Sequence, residues 1–430
     1  MSAACATAAS VSIERLPPGA AALALPVTPF NVEAQLQRGR FLEVERYFAE
    51  RPAGARGPDA EELSALGRAR LARADLPGAR QALEGAIGRS LSGPRRAEAE
   101  WALAQAYVLG DDFREAAWHA VEAVAAGLSL SPGFIRFLEG LAGAELYAGI
   151  AAGARLEAGF ETGPYDLIRV PLSVNGRPVL AVLDTGASYC ILTRSFARET
   201  GLIEISESDA YGLGLHQKPI PLTFGVVQAL TLAGSTLQTV PVMVMPDDAL
   251  SFSTARGPLS IPMVMGLHLL KDFSLEIDYR NRRLTLTRIA PAASRASPEQ
   301  NLFFARGKVF ARVSVDGSAW TLFLLDSGSE LTMLTTAGVR RLALRQATGV
   351  FPRRVEGIGK SRVSWGKVHR VAVGVAGWRL LFRDMVVAET EEALEDGVLG
   401  ASALLHFRVR IDFGSMRLEL EEPKVVNRES

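Results

Sequence analysis

The chain has 430 residues, 47 basic against 47 acidic side chains, 48% apolar and 22% charged residues. That profile belongs to a globular protein of two to four packed units and excludes disorder, collagen and coiled coil. Zero formal charge, with no long block of like charge, argues against nucleic acid or an anionic membrane as partner.

Met1 to Phe30 is rich in Ala and Pro and lacks the positive start and long apolar core of a complete secretory signal, so residues 1–31 read as a flexible leader. Ser2-Ala3-Ala4-Cys5 matches the end of a bacterial lipoprotein signal, as if the true start lay upstream. The compartment therefore stays open between cytoplasm, as the sequence is written, and export with a lipidated Cys5. Cys5 and Cys190 lie too far apart in character and position to imply a disulfide framework. No stretch reaches the roughly 18 apolar residues of a spanning helix. Leu141 to Ala152 and Val240 to Met245 come nearest and are broken by Glu145 and Pro241.

Residues 32–155 are rich in Ala, Leu, Arg and Glu with apolar side chains at helical spacing, which predicts a helical domain. It repeats: Leu66-Gly67, Ala79 and Ala86 recur 37 residues later as Leu103-Ala104, Ala116 and Ala123, with a fainter copy in Gly39, Phe41 and Val44. Small residues at such positions let paired helices approach closely, and each pair then stacks on the next. With Tyr107, Asp112 and Phe113, the unit resembles a degenerate tetratricopeptide repeat. The resemblance implies a groove for a protein partner, or a helical spacer without a ligand.

After a Gly-rich join at Gly153 to Gly163 the composition turns to short alternating apolar runs, which marks β structure written twice. In the first copy Leu167 to Val174 meets Asn175-Gly176, and Val179 to Leu183 runs into Asp184-Thr185-Gly186-Ala187-Ser188. In the second, Val309 to Val315 meets Asp316-Gly317, and Trp320 to Leu325 runs into Asp326-Ser327-Gly328-Ser329. Asn-Gly and Asp-Gly favour tight hairpins, so each acid falls where a hairpin's second strand ends. Gly212-Leu213-Gly214 recurs as Gly357-Ile358-Gly359. Gly266 and Gly400 are each followed at identical offsets by Phe, by Ile-Asp-aromatic and by Leu. The two acids are 142 residues apart and the two late glycines 134, a drift that loop insertions explain.

A lone Asp-Thr/Ser-Gly is weak evidence; two in matching contexts are strong. Glu161 to Glu421 resembles a retropepsin-like, pepsin-type aspartic protease with both lobes fused in one chain. The expected architecture is multidomain: a helical repeat domain, then a mostly β, pseudo-twofold bilobal fold with lobes at 161–290 and 298–424. The resemblance implies an aspartic endopeptidase in which Asp184 and Asp326 share a proton and activate one water against a polypeptide. Two neighbouring carboxyls cannot both ionise easily, which suits one as base and the other as acid.

By the same resemblance Thr185 and Ser327 brace the acid loops, Gly186 and Gly328 let the backbone pass close, and Gly212, Gly214, Gly357 and Gly359 tip two flaps. Met263 to Met265 and Val398-Leu399 pass behind the acid loops. Ser188 is matched by Glu330, either a subsite difference or a solvated, salt-bridged acid. Cys190 reads as a small buried hydrophobe. The histidines 119, 216, 268, 369 and 406 lack metal-ligand spacing, so neither metal nor cofactor is expected. The other function class is a binding scaffold that keeps the protease fold without turnover.

Overall fold

The computed structural model describes residues 11–16, 30–52, 56–208, 220–254, 257–291, 295–318, 320–357, 360–388 and 394–422. Cys5, Gly212, Gly214 and Gly359 lie outside the described residues.

The helical part runs α1 (Val32–Gln37), α2 (Phe41–Ala49), α3 (Ala60–Ala72), α4 (Leu76–Ile87), α5 (Gly93–Leu109), α6 (Phe113–Ala125) and α7 (Pro132–Gly140). The first six form three hairpins, each turned by one residue in the left-handed region: Gly39 (φ 69°), Ala74 (φ 60°) and Asp111 (φ 58°). Asp75 and Asp112 then cap α4 and α6 through their side chains. The repeated small residues are the hairpin seams: Ala79, Ala86, Ala104, Ala116 and Ala123 are fully buried. A Cβ on Gly67 would stand 2.5 Å from Leu83, so that pair packs at glycine distance.

Two β lobes follow with the same strand order. In the first, Ile168–Val174 and Arg177–Leu183 form a hairpin, and Arg177–Leu183 lies beside the short strand Met263–Met265. Cys190–Thr193, Ser235–Met245 and Leu222–Leu232 come next, and the sheet closes where Val174 meets Leu230. In the second, Lys308–Val315, Thr321–Leu325, Gly397–Leu399, Met333–Thr335, Trp378–Ala388 and Lys360–Val375 repeat the path. Closure there comes at Val315 and Val373. Asn175-Gly176 and Asp316-Gly317 turn their hairpins with both residues at positive φ, the geometry whose twist matches the strands.

A five-stranded antiparallel sheet joins the lobes, with Phe273–Asp278 of one paired to Arg408–Asp412 of the other. Its central pair is Glu276 opposite Arg410, each ten residues past its lobe's late glycine, so the pseudo-twofold axis runs between equivalent residues.

Two segments expected to be irregular are strands. Within the leader, Val11–Arg15 pairs antiparallel with residues 378–382 because Val11 and Ile13 alternate inward onto the second lobe's core. Within the Gly-rich join, Arg155–Gly159 pairs with Arg283–Arg288 as the edge of the central sheet. Leu156 supplies its buried residue.

The helices straddle both lobes. Phe137 of α7 stacks on Phe224 (centroids 4.7 Å) and meets the edge of Tyr189 (5.6 Å) in the first lobe. Phe41 of α2 contacts Phe303 (5.5 Å) in the second. Val182 and Leu324, equivalent residues on the acid-bearing strands, both face the helices. Among the described residues no helix is long and apolar enough to cross a membrane.

Candidate active site

Each acid is delivered by a buried apolar strand wedged against a parallel neighbour. Asp184 N–H donates to Met265 O (3.0 Å) and Asp326 N–H to Leu399 O (3.1 Å). Just past each late glycine the chain returns to the acid loop: Leu267 N–H donates to Ala187 O (2.7 Å) and Ala401 N–H to Ser329 O (2.8 Å). A Cβ on Gly266 would stand 2.1 Å from Tyr189 O, and one on Gly400 2.4 Å from Leu331 O, so only glycine admits this crossing.

Between the loops the hydroxyl residues interlock. Thr185 N–H donates to Ser327 Oγ (3.1 Å) and Ser327 N–H to Thr185 Oγ1 (3.1 Å). The Thr185 hydroxyl donates to Leu325 O (2.7 Å) and the Ser327 hydroxyl to Leu183 O (2.9 Å). Each hydroxyl therefore satisfies a buried N–H and a buried carbonyl of the other lobe. Both side chains are fully buried.

The carboxyls meet across this grip. Asp184 Oδ1 accepts from Gly186 N–H (2.8 Å) and Ala187 N–H (3.1 Å), and Asp326 Oδ1 from Gly328 N–H (2.9 Å). The two acids hydrogen-bond to each other. A Cβ on Gly186 would lie 2.6 Å from Asp326 Cγ and one on Gly328 2.4 Å from Asp184 Cγ, so each carboxyl rests on the opposite lobe's glycine.

Both aspartates keep a minority of their surface open to the cleft, yet protein atoms crowd them closely. Burial pushes both proton affinities up, and the Asp326 charge adds to the rise at Asp184, which reaches about 8. That rise belongs to the pair: the charge on whichever acid ionises first holds the proton on the other. The Lys308 ammonium and the loop N–H groups pull the other way.

Of the expected flap residues only Gly357 is described; it ends the strand Gln346–Gly357, opposite Lys360. Cys190 is buried, and burial pushes its thiol up to about 12, which leaves it a small hydrophobe rather than a nucleophile. Among the described residues no three His, Cys, Asp or Glu side chains converge as a metal site. Two features escaped the sequence. Lys308 carries no motif, and the buried His268 beside Tyr147 and Tyr189 depends on a contact between residues 121 apart.

A family model described as aspartyl protease matches residues 170–269 and 311–403, one segment in each lobe. Among solved structures the chain is similar to a retropepsin-like aspartic protease from Rickettsia conorii. That match has 18% identity and a TM-score of 0.21, covering 31% of this chain and 90% of that one. It is also similar to an aspartic proteinase from Irpex lacteus, with 13% identity and a TM-score of 0.38 over 64% of this chain and 99% of that one. Conglutin gamma, a basic 7S globulin from lupine seeds, matches with 11% identity and a TM-score of 0.36 over 62% and 94%. No curated protein matches the sequence. The two segments matched by the family are the two halves that the acid loops join, so helices precede a bilobal aspartic-protease fold with one acid loop in each lobe.

Proposed function

We propose that the chain is an aspartic endopeptidase that hydrolyses peptide bonds in a polypeptide substrate through one water held between Asp184 and Asp326. The observation that carries this reading is the approach of two largely enclosed carboxyls, each resting on the other lobe's glycine. One shared proton leaves one carboxylate to take a proton from the water and one acid to protonate the scissile carbonyl oxygen. Both roles reverse as the tetrahedral intermediate collapses, so neither acid is permanently the base. The interlocked Thr185 and Ser327 hold the geometry, and a substrate in extended form fits a cleft between two sheets. The helices, packed on both lobes, fix the lobes relative to each other and leave their outer faces for a protein partner.

The test is cleavage of a proteome-derived peptide library over a range of pH. Asp184→Asn and Asp326→Asn are each expected to lower kcat/KM by at least about a thousandfold while circular dichroism stays unchanged. Cleavage by Asp184→Asn at the wild-type rate would overturn the mechanism. Tight peptide binding by the wild type with no product by mass spectrometry would identify a binding scaffold instead.

A further inference from the structure

Beside the acids lies a charged group that the general reaction does not require. The hairpin of Leu302–Ala305 and Lys308–Val315 belongs to the second lobe, and its turn is Arg306-Gly307 with both residues at positive φ (51° and 70°). This two-residue turn is stiff and sets the position of the next residue, Lys308, opposite Ala305. The turn crosses to the first lobe's acid loop: a Cβ on Gly307 would lie 3.4 Å from Ser188 Oγ. Lys308 is half-buried, and among the described residues its ammonium has no hydrogen-bond or ion-pair partner. It nevertheless acts on both carboxyls, lowering the proton affinity of Asp184 and of Asp326.

By strand register the position matching Lys308 in the first lobe is Leu167, because Arg169 lies opposite Val182 and Phe310 opposite Leu324, and Leu167 is a buried apolar residue. Among the described residues this position therefore carries a lysine on one side of the pseudo-twofold axis only. With one shared proton the acid pair holds a single negative charge, which Lys308 balances. A further carboxylate brought in by substrate then meets a cation in place of a net repulsive site.

We propose that Lys308 is a specificity-determining residue, selecting polypeptides with an acidic side chain next to the scissile bond on the side facing Ser188. The inference deepens the endopeptidase reading and rests on it for the position of that bond. A half-buried ammonium contributes to binding when an incoming carboxylate pairs with it away from bulk solvent.

The experiment compares matched peptides that differ only in one side chain flanking the cleaved bond: Glu, Gln or Lys. The wild type is expected to show kcat/KM for Glu about tenfold above Gln, a preference that shrinks as salt rises. Lys308→Gln should bring the ratio close to one, Lys308→Glu should invert it in favour of Lys, and Lys308→Arg should keep it. Because the measure is a ratio within one variant, partial loss of folded protein does not imitate the result. A wild type indifferent to charge, or a Lys308→Gln enzyme that keeps the preference, would overturn the inference and leave the endopeptidase reading in place. Equilibrium binding of the same peptides to the Asp184→Asn protein separates the converse case. A Lys308-dependent preference in binding without any wild-type cleavage supports the Lys308 assignment and removes the endopeptidase reading.

Discussion

The two lobes match in strand order and in the acid loops at their common axis, and differ where they meet the helices. At the axis, Thr185 answers Ser327, Gly186 answers Gly328 and Glu276 answers Arg410. Away from it, the first lobe meets the helices through buried charge in addition to the apolar contacts of Phe137 with Phe224 and Tyr189. Lys271, 1% exposed, donates to both carboxylate oxygens of Asp111 (3.0 Å each) and to Asp272 (3.2 Å), which also takes Arg288 and Arg295 (3.3 Å each). Beside it His268 stacks on Tyr189 (4.9 Å) and lies 2.6 Å from Tyr147 Oη. Burial and the Lys271 charge hold His268 down to about 4, so its neutral ring accepts from the Tyr147 hydroxyl and donates to Val108 O. The equivalent positions of the second lobe are Ser402, Leu405 and His406, and that part of the chain meets the helices through Phe303, Phe310, Leu322 and Leu324 and through Arg73, whose Nε donates to Gln300 Oε1 (3.0 Å). Symmetry persists where the two acid loops grip each other. It lapses where a single helical array must be fastened to two unlike surfaces.

This contrast predicts unequal costs for equivalent substitutions. Lys271→Met leaves the partly exposed Asp111 without its main cation, while Asp272 keeps two arginines, so about 2 kcal/mol of stability is expected to go. Leu405→Ala at the matching position removes only part of a half-buried side chain, about 1 kcal/mol. Urea unfolding of the two variants measures the difference, and equal costs would remove the ionic fastening as a distinction between the lobes. The Asp272 carboxyl sharpens this. Burial opposes its charge, but Lys271, Arg288 and Arg295 outweigh burial and hold it down to about 2. A depressed carboxyl stabilises the fold above the ordinary carboxylate pKa, and that contribution disappears as pH falls from about 4 toward 2.

The shared axis has the opposite sign. Burial raises the proton affinity of Asp184 and Asp326, so the folded state binds protons more tightly than the unfolded chain. Stability must then fall as pH climbs from about 4 toward 8, because ionising the pair is easier in the unfolded chain. Asp326→Asn removes that penalty. The Asn variant is expected to be more stable than wild type by about 1–2 kcal/mol at pH 8 and indistinguishable from it at pH 4. Thermal melts at the two pH values decide, and a variant less stable at both would mean that the acids do not strain the fold.

These opposed electrostatics also explain what the sequence disclosed. The acid loops were legible because their chemistry restricts composition: an acid, a hydroxyl and a glycine must follow one another at a strand end, and Asn175-Gly176 and Asp316-Gly317 mark the hairpins leading there. The helical seams were legible because close packing demands small residues at a fixed period. The junction between helices and lobes was not, since Lys271 and Asp111 are 160 residues apart and neither belongs to a pattern. Lys308 was hidden for the same reason, because its place comes from the Arg306-Gly307 turn reaching the other lobe. The strand at Val11–Arg15 was obscured by its Ala- and Pro-rich surroundings.

That strand gives the weakest but most specific break in the comparison. Leu192 pairs with Val244 and Leu334 with Val387, which puts residues 235–239 and 378–382 at equivalent sheet edges. In the first lobe the chain after α7 covers this edge: Gln238 N–H donates to Ala148 O (2.8 Å), and a Cβ on Gly149 would lie 2.5 Å from Thr236 O. In the second lobe the cover is Val11–Arg15, with Glu14 paired to Arg379 (3.4 Å) and Arg15 over Trp378 (5.8 Å). Deleting residues 1–16 uncovers one edge and leaves its counterpart closed. The half-buried Val11 and Ile13 are expected to account for about 1–2 kcal/mol, and the bared strand for concentration-dependent association. Light scattering and thermal melts of the truncated chain test both, and an unchanged melting temperature with a monomeric truncation would mean that the strand is an ornament to the second lobe and not its cover.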